Sequence, residues 1–245
     1  MMPPRDTSLA ADRDRRLQVF LTQARGRARN GQLLRQAVDR ELRTRALRAP
    51  TGKEAMMDDA LVDSLLQVSN VLNKLGLPYA ITGSVASSLY GEPHSTIDAD
   101  LILSATPADA APIAHALGQR FYAPADMIAD AARRHAMANL IDNRHALKID
   151  LSFIGHDPYL REVISRRVCQ PIGLDGPEFW FVTPEDVILM KLIWREHSRS
   201  TKQWNDALGV VQVLGNRLDW KYLIEKAETL NLADDLANIR DEGGV

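Results

Sequence analysis

The sequence predicts an α+β fold: a mixed sheet flanked by helices, with a helical C-terminal portion and a basic helical N-terminal extension. Three observations predict it. Short stretches of strand periodicity, Tyr79–Thr82, Ile97–Leu103, Leu140–Ile154 and Phe179–Val182, alternate with helical patterns. Residues 183–245 read as helices alone. Residues 1–55 hold 12 Arg and one Lys against four Asp and two Glu, a net charge of +7, while the rest of the chain carries −9. The expected divisions are therefore 1–55 for the extension, 56–182 for the sheet-bearing domain and 183–245 for the helical region.

The 245 residues suffice for one sizeable domain with an accessory piece, or for two small domains. No apolar run approaches the roughly 18 residues of a membrane span, and Met1–Ala11 has no apolar signal-peptide core. Cys169 is the only cysteine, which excludes an intramolecular disulfide and a zinc site built from several thiolates. The expectation is a reduced, cytoplasmic protein with no membrane partner.

Within residues 1–55, Leu17, Phe20, Leu21 and Ala24, then Leu33, Leu34, Ala37, Val38 and Leu42, recur at helical spacing, with arginines on the other faces. Such an arm suits nucleic acid or a protein partner; the alternative is a solvated extension preceding a functional start at Met56-Met57. Leu61, Leu65, Leu66, Val68, Val71 and Leu72 predict an amphipathic helix that Gly76 ends. Tyr79–Thr82 predicts a strand running into Gly83-Ser84 and a short helix, Val85 to Tyr90. Further helices are expected over Pro107–Arg120, with Thr106 as N-cap, and over Met127–Ala138. Two strands follow, joined by a turn at Asn143-Arg144, then a helix over Tyr159–Arg166. Thr183-Pro184-Glu185-Asp186 is a strong helix start, with Thr as cap, Pro at the first position and acids in the first turn. Helices are expected over 184–196, 201–214 and 220–230, with a weaker one beyond.

Ile97-Asp98-Ala99-Asp100-Leu101 places two carboxylates on one face of a strand, because side chains two apart point the same way. Two like charges side by side are costly unless a divalent cation bridges them, and Mg²⁺ favours such hard oxygen ligands. Upstream, Gly83-Ser84 between strand and helix offers close backbone approach, free N–H groups and a hydroxyl to a phosphate. Downstream, Lys148-Ile149-Asp150-Leu151-Ser152-Phe153 carries an Asp in an apolar-alternating strand. If that strand lies beside the first, three carboxylates come together, an arrangement suited to two metal ions.

In their order, Gly83-Ser84, Asp98-Ala99-Asp100 and Asp150 resemble the nucleotidyltransferase superfamily of polymerase-beta-like fold. The closer resemblance is to small bacterial members, the abortive-infection and toxin–antitoxin nucleotidyltransferases. Their signature Arg-x-Thr-x-Asp-x-Asp is kept here as His94-Ser95-Thr96-Ile97-Asp98-Ala99-Asp100, with His94 in the place of Arg. The helix Thr183–Leu192, with its embedded Lys191, and the stretch Gln203–Leu208, with Asp206, are similar to that branch as well. The resemblance covers roughly residues 60–230. It implies Asp98, Asp100 and Asp150 as catalytic metal ligands, with Gly83, Ser84 and Lys191 binding the nucleotide phosphates. Asp206 would steady Lys191. On the residues alone, Lys191 reads equally well as a surface lysine. The cofactor implied is Mg²⁺ or Mn²⁺. A nucleoside triphosphate is the substrate, and RNA, protein or a small molecule supplies the accepting hydroxyl. A cognate antitoxin is the implied partner of a toxin. The alternative class is a binding or antitoxin-like module of the same fold without catalysis. Phe179-Trp180-Phe181 reads as sheet core, and His135, His145 and His156 lack metal-ligand spacing.

Overall fold

Asp98 and Asp100 stand in the middle of a mixed sheet, and the surrounding elements follow from where the apolar residues fall. The computed structural model describes residues 58–173 and 176–245. The basic segment 1–55, with its expected helical arm, lies outside the described residues, as do Met56 and Met57. Helix α1 (Asp59–Lys74) is capped by the Asp58 carboxylate, which accepts from the Ala60 N–H. It buries Leu61, Leu65, Val68 and Leu72, one stripe at helical spacing. Each of its buried leucines contributes about 1.5–3 kcal/mol of transfer free energy.

The sheet has seven strands in the order β3-β4-β5-β2-β1-β7-β6. They are β1 (Tyr79–Thr82), β2 (Asp98–Leu103), β3 (Phe121–Tyr122), β4 (Met137–Asp142), β5 (Leu147–Phe153), β6 (Val168–Pro171) and β7 (Glu178–Phe181). β2 and β5 run parallel, with Asp98 opposite Lys148 and Asp100 opposite Asp150. β1 is antiparallel to β2, which sets Thr82 opposite Asp100, and parallel to β7. β4 is antiparallel to β5 and to the short β3. On β2, Ala99 and Leu101 are fully buried while Asp98 and Asp100 on the other face are half-buried, as period-two alternation requires.

The remaining helices are α2 (Gly83–Tyr90), α3 (Ala110–Leu117), α4 (Ala125–Arg134), α5 (Pro158–Arg166), α6 (Pro184–Ser198), α7 (Thr201–Leu214), α8 (Trp220–Thr229) and α9 (Ala233–Glu242). α2 packs on β1 and β2 and also on α6 and α7, so the short helix after the Gly-Ser turn joins sheet to C-terminal helices. The described residues lie in one compact unit. None of their helices is long and apolar enough to cross a membrane.

Three details differ from the sequence expectation. The Pro107–Arg120 stretch is not one helix: 3-10 turns flank α3, and Gly118 at φ +59 ends it. The cap is as expected, for Asp109 accepts from the Thr106 N–H at 2.7 Å. The helix expected to Ala138 stops at Arg134, because His135 adopts the left-handed conformation, freeing Met137 onward for β4. The strands β3 and β6 were not expected; they are short edges of two and four residues whose pairing, not periodicity, defines them. Pro171 at the end of β6 suits an edge, where no N–H is needed on one side. Phe179 and Phe181 are core, as expected, while Trp180 on the other face lies 4.8 Å beneath the Arg167 guanidinium.

Candidate active site

β1 enters α2 through Gly83, whose backbone adopts φ +63. A Cβ there would overlap the Asp100 carboxylate, so two requirements, the left-handed backbone and the close approach, both demand glycine. Thr82, the residue at the N-cap, makes no side-chain bond to the helix. Ser84 is buried in the first turn, beside this uncapped helix end. The elements thus bring Gly83, Ser84 and Asp100 together.

Register does the rest. Parallel pairing of β2 with β5 puts Asp150 directly beside Asp100, on the same sheet face as Asp98. Asp98 accepts from Thr96 Oγ1 at 2.9 Å. Asp150 accepts from Asn139 Nδ2 at 2.6 Å on one oxygen and from Lys148 Nζ at 2.7 Å on the other. Lys148 Nζ also lies 3.9 Å from Asp98 Oδ2. Burial, then repulsion from Asp98 and Asp150, raises the Asp100 carboxyl above its ordinary range, while Lys191 and Lys148 pull the other way. The hydrogen bond to Asp150 raises Lys148 in turn and keeps it charged.

Lys191 is buried at 2% exposure, not on the surface. It donates to Asp206 Oδ2 at 2.6 Å, with its ammonium 6.0 Å from the centre of the Trp194 ring. Such a pair is costly to desolvate, and removing either partner strands a buried charge. The other Asp206 oxygen lies 3.9 Å from His94 Nε2. His94 Nδ1 faces Ser88 Oγ and the Glu92 carbonyl, both at 3.2 Å. The bond to that carbonyl requires the hydrogen on Nδ1. Its Nε2 is buried without a hydrogen-bond partner. His94 and Asp206 open onto a cleft of about 460 Å³, which Ser87, Glu92, Lys202 and Asn205 also line.

Of the residues singled out in the sequence, Asp98, Asp100 and Asp150 therefore share one face of β2 and β5, and Gly83, with Ser84 next to it, lies against Asp100 where β1 runs into α2. Lys191 is near enough to Asp100 to act on its charge. Sequence reasoning gave no role to Lys148, Asn139 or Thr96. Lys148 carries a local signal, two residues before Asp150 on a strand and so on the same face; Asn139 depends on cross-strand register, which no local pattern reveals.

The donor set fits a hard divalent ion in chemistry: carboxylate oxygens, with a half-buried Asp100 whose charge is opposed by its neighbours. Among the described residues, however, no three His, Cys, Asp or Glu side chains form a ready-made metal cluster. Asp150 has both oxygens engaged, one by Asn139 and the other by Lys148.

No protein-family model matches the chain, and no curated protein matches it. Among solved structures, the chain is similar to the antibiotic-resistance factor ANT(2'')-Ia, at 13% identity and a TM-score of 0.45 over 74% of this chain and 98% of that one. It is also similar to an antigenic nucleotidyltransferase-like protein from Paracoccidioides brasiliensis, at 15% identity and a TM-score of 0.40 over 72% of this chain and 93% of that one.

Proposed function

We propose that this chain transfers a nucleoside monophosphate from a nucleoside triphosphate to a hydroxyl acceptor on RNA, protein or a small molecule, with Mg²⁺ or Mn²⁺ as cofactor. One observation carries the reading: Asp98, Asp100 and Asp150 share a face of two paired strands, with Gly83 pressed against Asp100 where no side chain fits. A core built for stability alone would not set three carboxylates on one face of two adjacent strands.

Asp98 and Asp100 would hold the ion, with Asp150 beside them. When bound, it neutralises both the triphosphate and the mutual repulsion of the acids. The chain's own groups do the remaining work. The uncapped start of α2, with Gly83 and Ser84, receives the outer phosphate oxygens through N–H groups and a hydroxyl. Lys191, anchored by Asp206, supplies a fixed positive charge on the phosphate side. Asp150 takes the proton of the acceptor hydroxyl or joins the ion ligands. The acceptor oxygen bonds to the alpha-phosphorus, the bond to pyrophosphate breaks, and pyrophosphate leaves. Catalysis of this kind is mostly positioning and charge neutralisation. The wider setting we propose, on the resemblance in the sequence, is a toxin–antitoxin or defence component with a cognate antitoxin.

A second reading is a nucleotide-binding or antitoxin-like module without turnover. It is favoured by the occupied oxygens of Asp150 and by His94 where the signature has Arg. One experiment separates the two: incubation with Mg²⁺, each of four alpha-labelled nucleoside triphosphates, and separate pools of total RNA, lysate protein and purified small molecules, with Asp98→Ala in parallel. Label in any one pool with wild type alone supports transfer and identifies the acceptor class. Nucleotide binding with no label in any pool supports the second reading.

A further inference from the structure

Among the described residues, Lys148 is the charged side chain against the acidic site that the transfer reaction above leaves without a role. Its placement is specific. On β5 it stands two residues before Asp150 and in register with Asp98 on β2, so its ammonium reaches carboxylates from both strands. It lies 2.7 Å from Asp150 Oδ2 and 3.9 Å from Asp98 Oδ2.

The opposite oxygens of the same two acids are held by neutral donors, Asp150 Oδ1 by Asn139 and Asp98 Oδ1 by Thr96. Each acid is thus oriented by an uncharged hydrogen bond at one oxygen and faces Lys148 with the other. The orienting donors sit on β4 and in the irregular segment before β2, so they need not move if the lysine does. Lys148 can move: its side chain is 43% exposed, on a flexible four-carbon stem. Asn139 and Thr96, which carry no charge, could not offset two carboxylates.

We propose that Lys148 is a tethered place-holding cation: it occupies the Oδ2 atoms of Asp98 and Asp150 in the metal-free protein and yields them to a divalent ion. It is a positioning residue that keeps the repelling acids in place before the cofactor arrives, at the expense of cofactor affinity. The inference rests on the metal-site reading given above.

The test is calorimetric titration of Mg²⁺ and Mn²⁺ alone onto wild type, Lys148→Met, Lys148→Gln and Lys148→Arg, with thermal melting of each protein with and without ion. Removing the competing charge is expected to tighten ion binding in the Met and Gln variants by roughly fivefold, the scale of a partly exposed ion pair. Their metal-free melting temperatures fall, and the ion raises them by more than it raises wild type. Lys148→Arg keeps the charge and stays near wild type. A lysine that only braces the fold would lower melting temperature without tightening ion binding, and that result overturns the proposal. Equal ion affinity in all four proteins overturns it too, while leaving the metal site standing. If neither wild type nor any variant binds an ion, the proposal and the metal-site reading fall together. The Gln variant decides the matter should the Met variant not fold.

Discussion

At the end of β4, Asp142 is fully buried, yet every demand it makes is met. Arg120 donates to it from Nη2 at 2.8 Å and Nε at 3.2 Å, Ser64 Oγ donates at 2.7 Å, and the Arg144 N–H reaches its other oxygen at 2.9 Å. Asp63 shares Arg120 and takes a further bond from His145. On the two strands next in the sheet, Asp98, Asp100 and Asp150 divide one lysine among them, with Lys191 at a distance. Burial and the other two acids raise Asp100. Asp142 is lowered, because Arg120, Ser64 and Arg144 together outweigh the burial that would raise it. One acid cluster is saturated with donors, and the other is short of positive charge. The saturated cluster fastens α1 and the turn before β3 to the sheet; on the proposed function, the deficient one would take its cation and anionic substrate from outside.

Substitutions that respect this contrast have different readouts. The largest effect belongs to the deficient cluster. Asp98→Ala or Asp100→Ala should cut transfer by at least roughly a hundredfold while the fold remains, given what loss of one preorganised electrostatic group costs elsewhere. Turnover assays paired with circular dichroism check this. Wild-type turnover in either folded variant would remove the contrast.

Arg120→Met does the reverse. It leaves Asp142 as an uncompensated buried charge and should cost about 3 kcal/mol in urea denaturation, with nucleotide binding preserved. Gly83→Ala comes next, combining a disfavoured left-handed backbone with overlap on Asp100. A loss of about 1–3 kcal/mol is expected from the strain, together with loss of transfer as Asp100 is displaced. A variant of unaltered stability and activity would show that the close approach is not required.

The smallest effect is a pH dependence. The Arg120 hydrogen bond and then that of His145 hold Asp63 below its ordinary value of 3.8, and Asp142 is lowered as well. A depressed carboxyl stabilises the fold above its unfolded pKa, and that stability is lost as pH falls through the folded value. Wild type should therefore lose its advantage over Arg120→Met as pH drops below about 5. A gap that stayed constant down to strongly acidic pH would contradict this sign.

The sequence carried the chemistry of the deficient cluster more clearly than its geometry. Alternation on β2 put Asp98 and Asp100 on one face; the strand–Gly-Ser–helix order called for a glycine to admit a phosphate, and the structure sets the Asp100 carboxylate against it. Pairing of β5 with β2 entered as a condition, and register satisfies it residue for residue. What stayed hidden depended on long-range contacts. Arg120 and Asp142 meet across 22 residues, and Asn139 reaches Asp150 only through antiparallel pairing. Lys191 was open between two readings because helical periodicity does not say what covers a position; here α7 covers it with Asp206. Short edge strands such as β3 were missed because two residues show no period.

The most direct measurement of the charge-deficient site is calorimetric binding of a non-hydrolysable nucleoside triphosphate with and without Mg²⁺, to wild type and to Asp100→Ala. Binding that requires Mg²⁺ in wild type and disappears in the folded variant is the predicted result. Equal affinity with and without Mg²⁺, or in both proteins, would mean that these three carboxylates are not arranged for a metal-bound nucleotide.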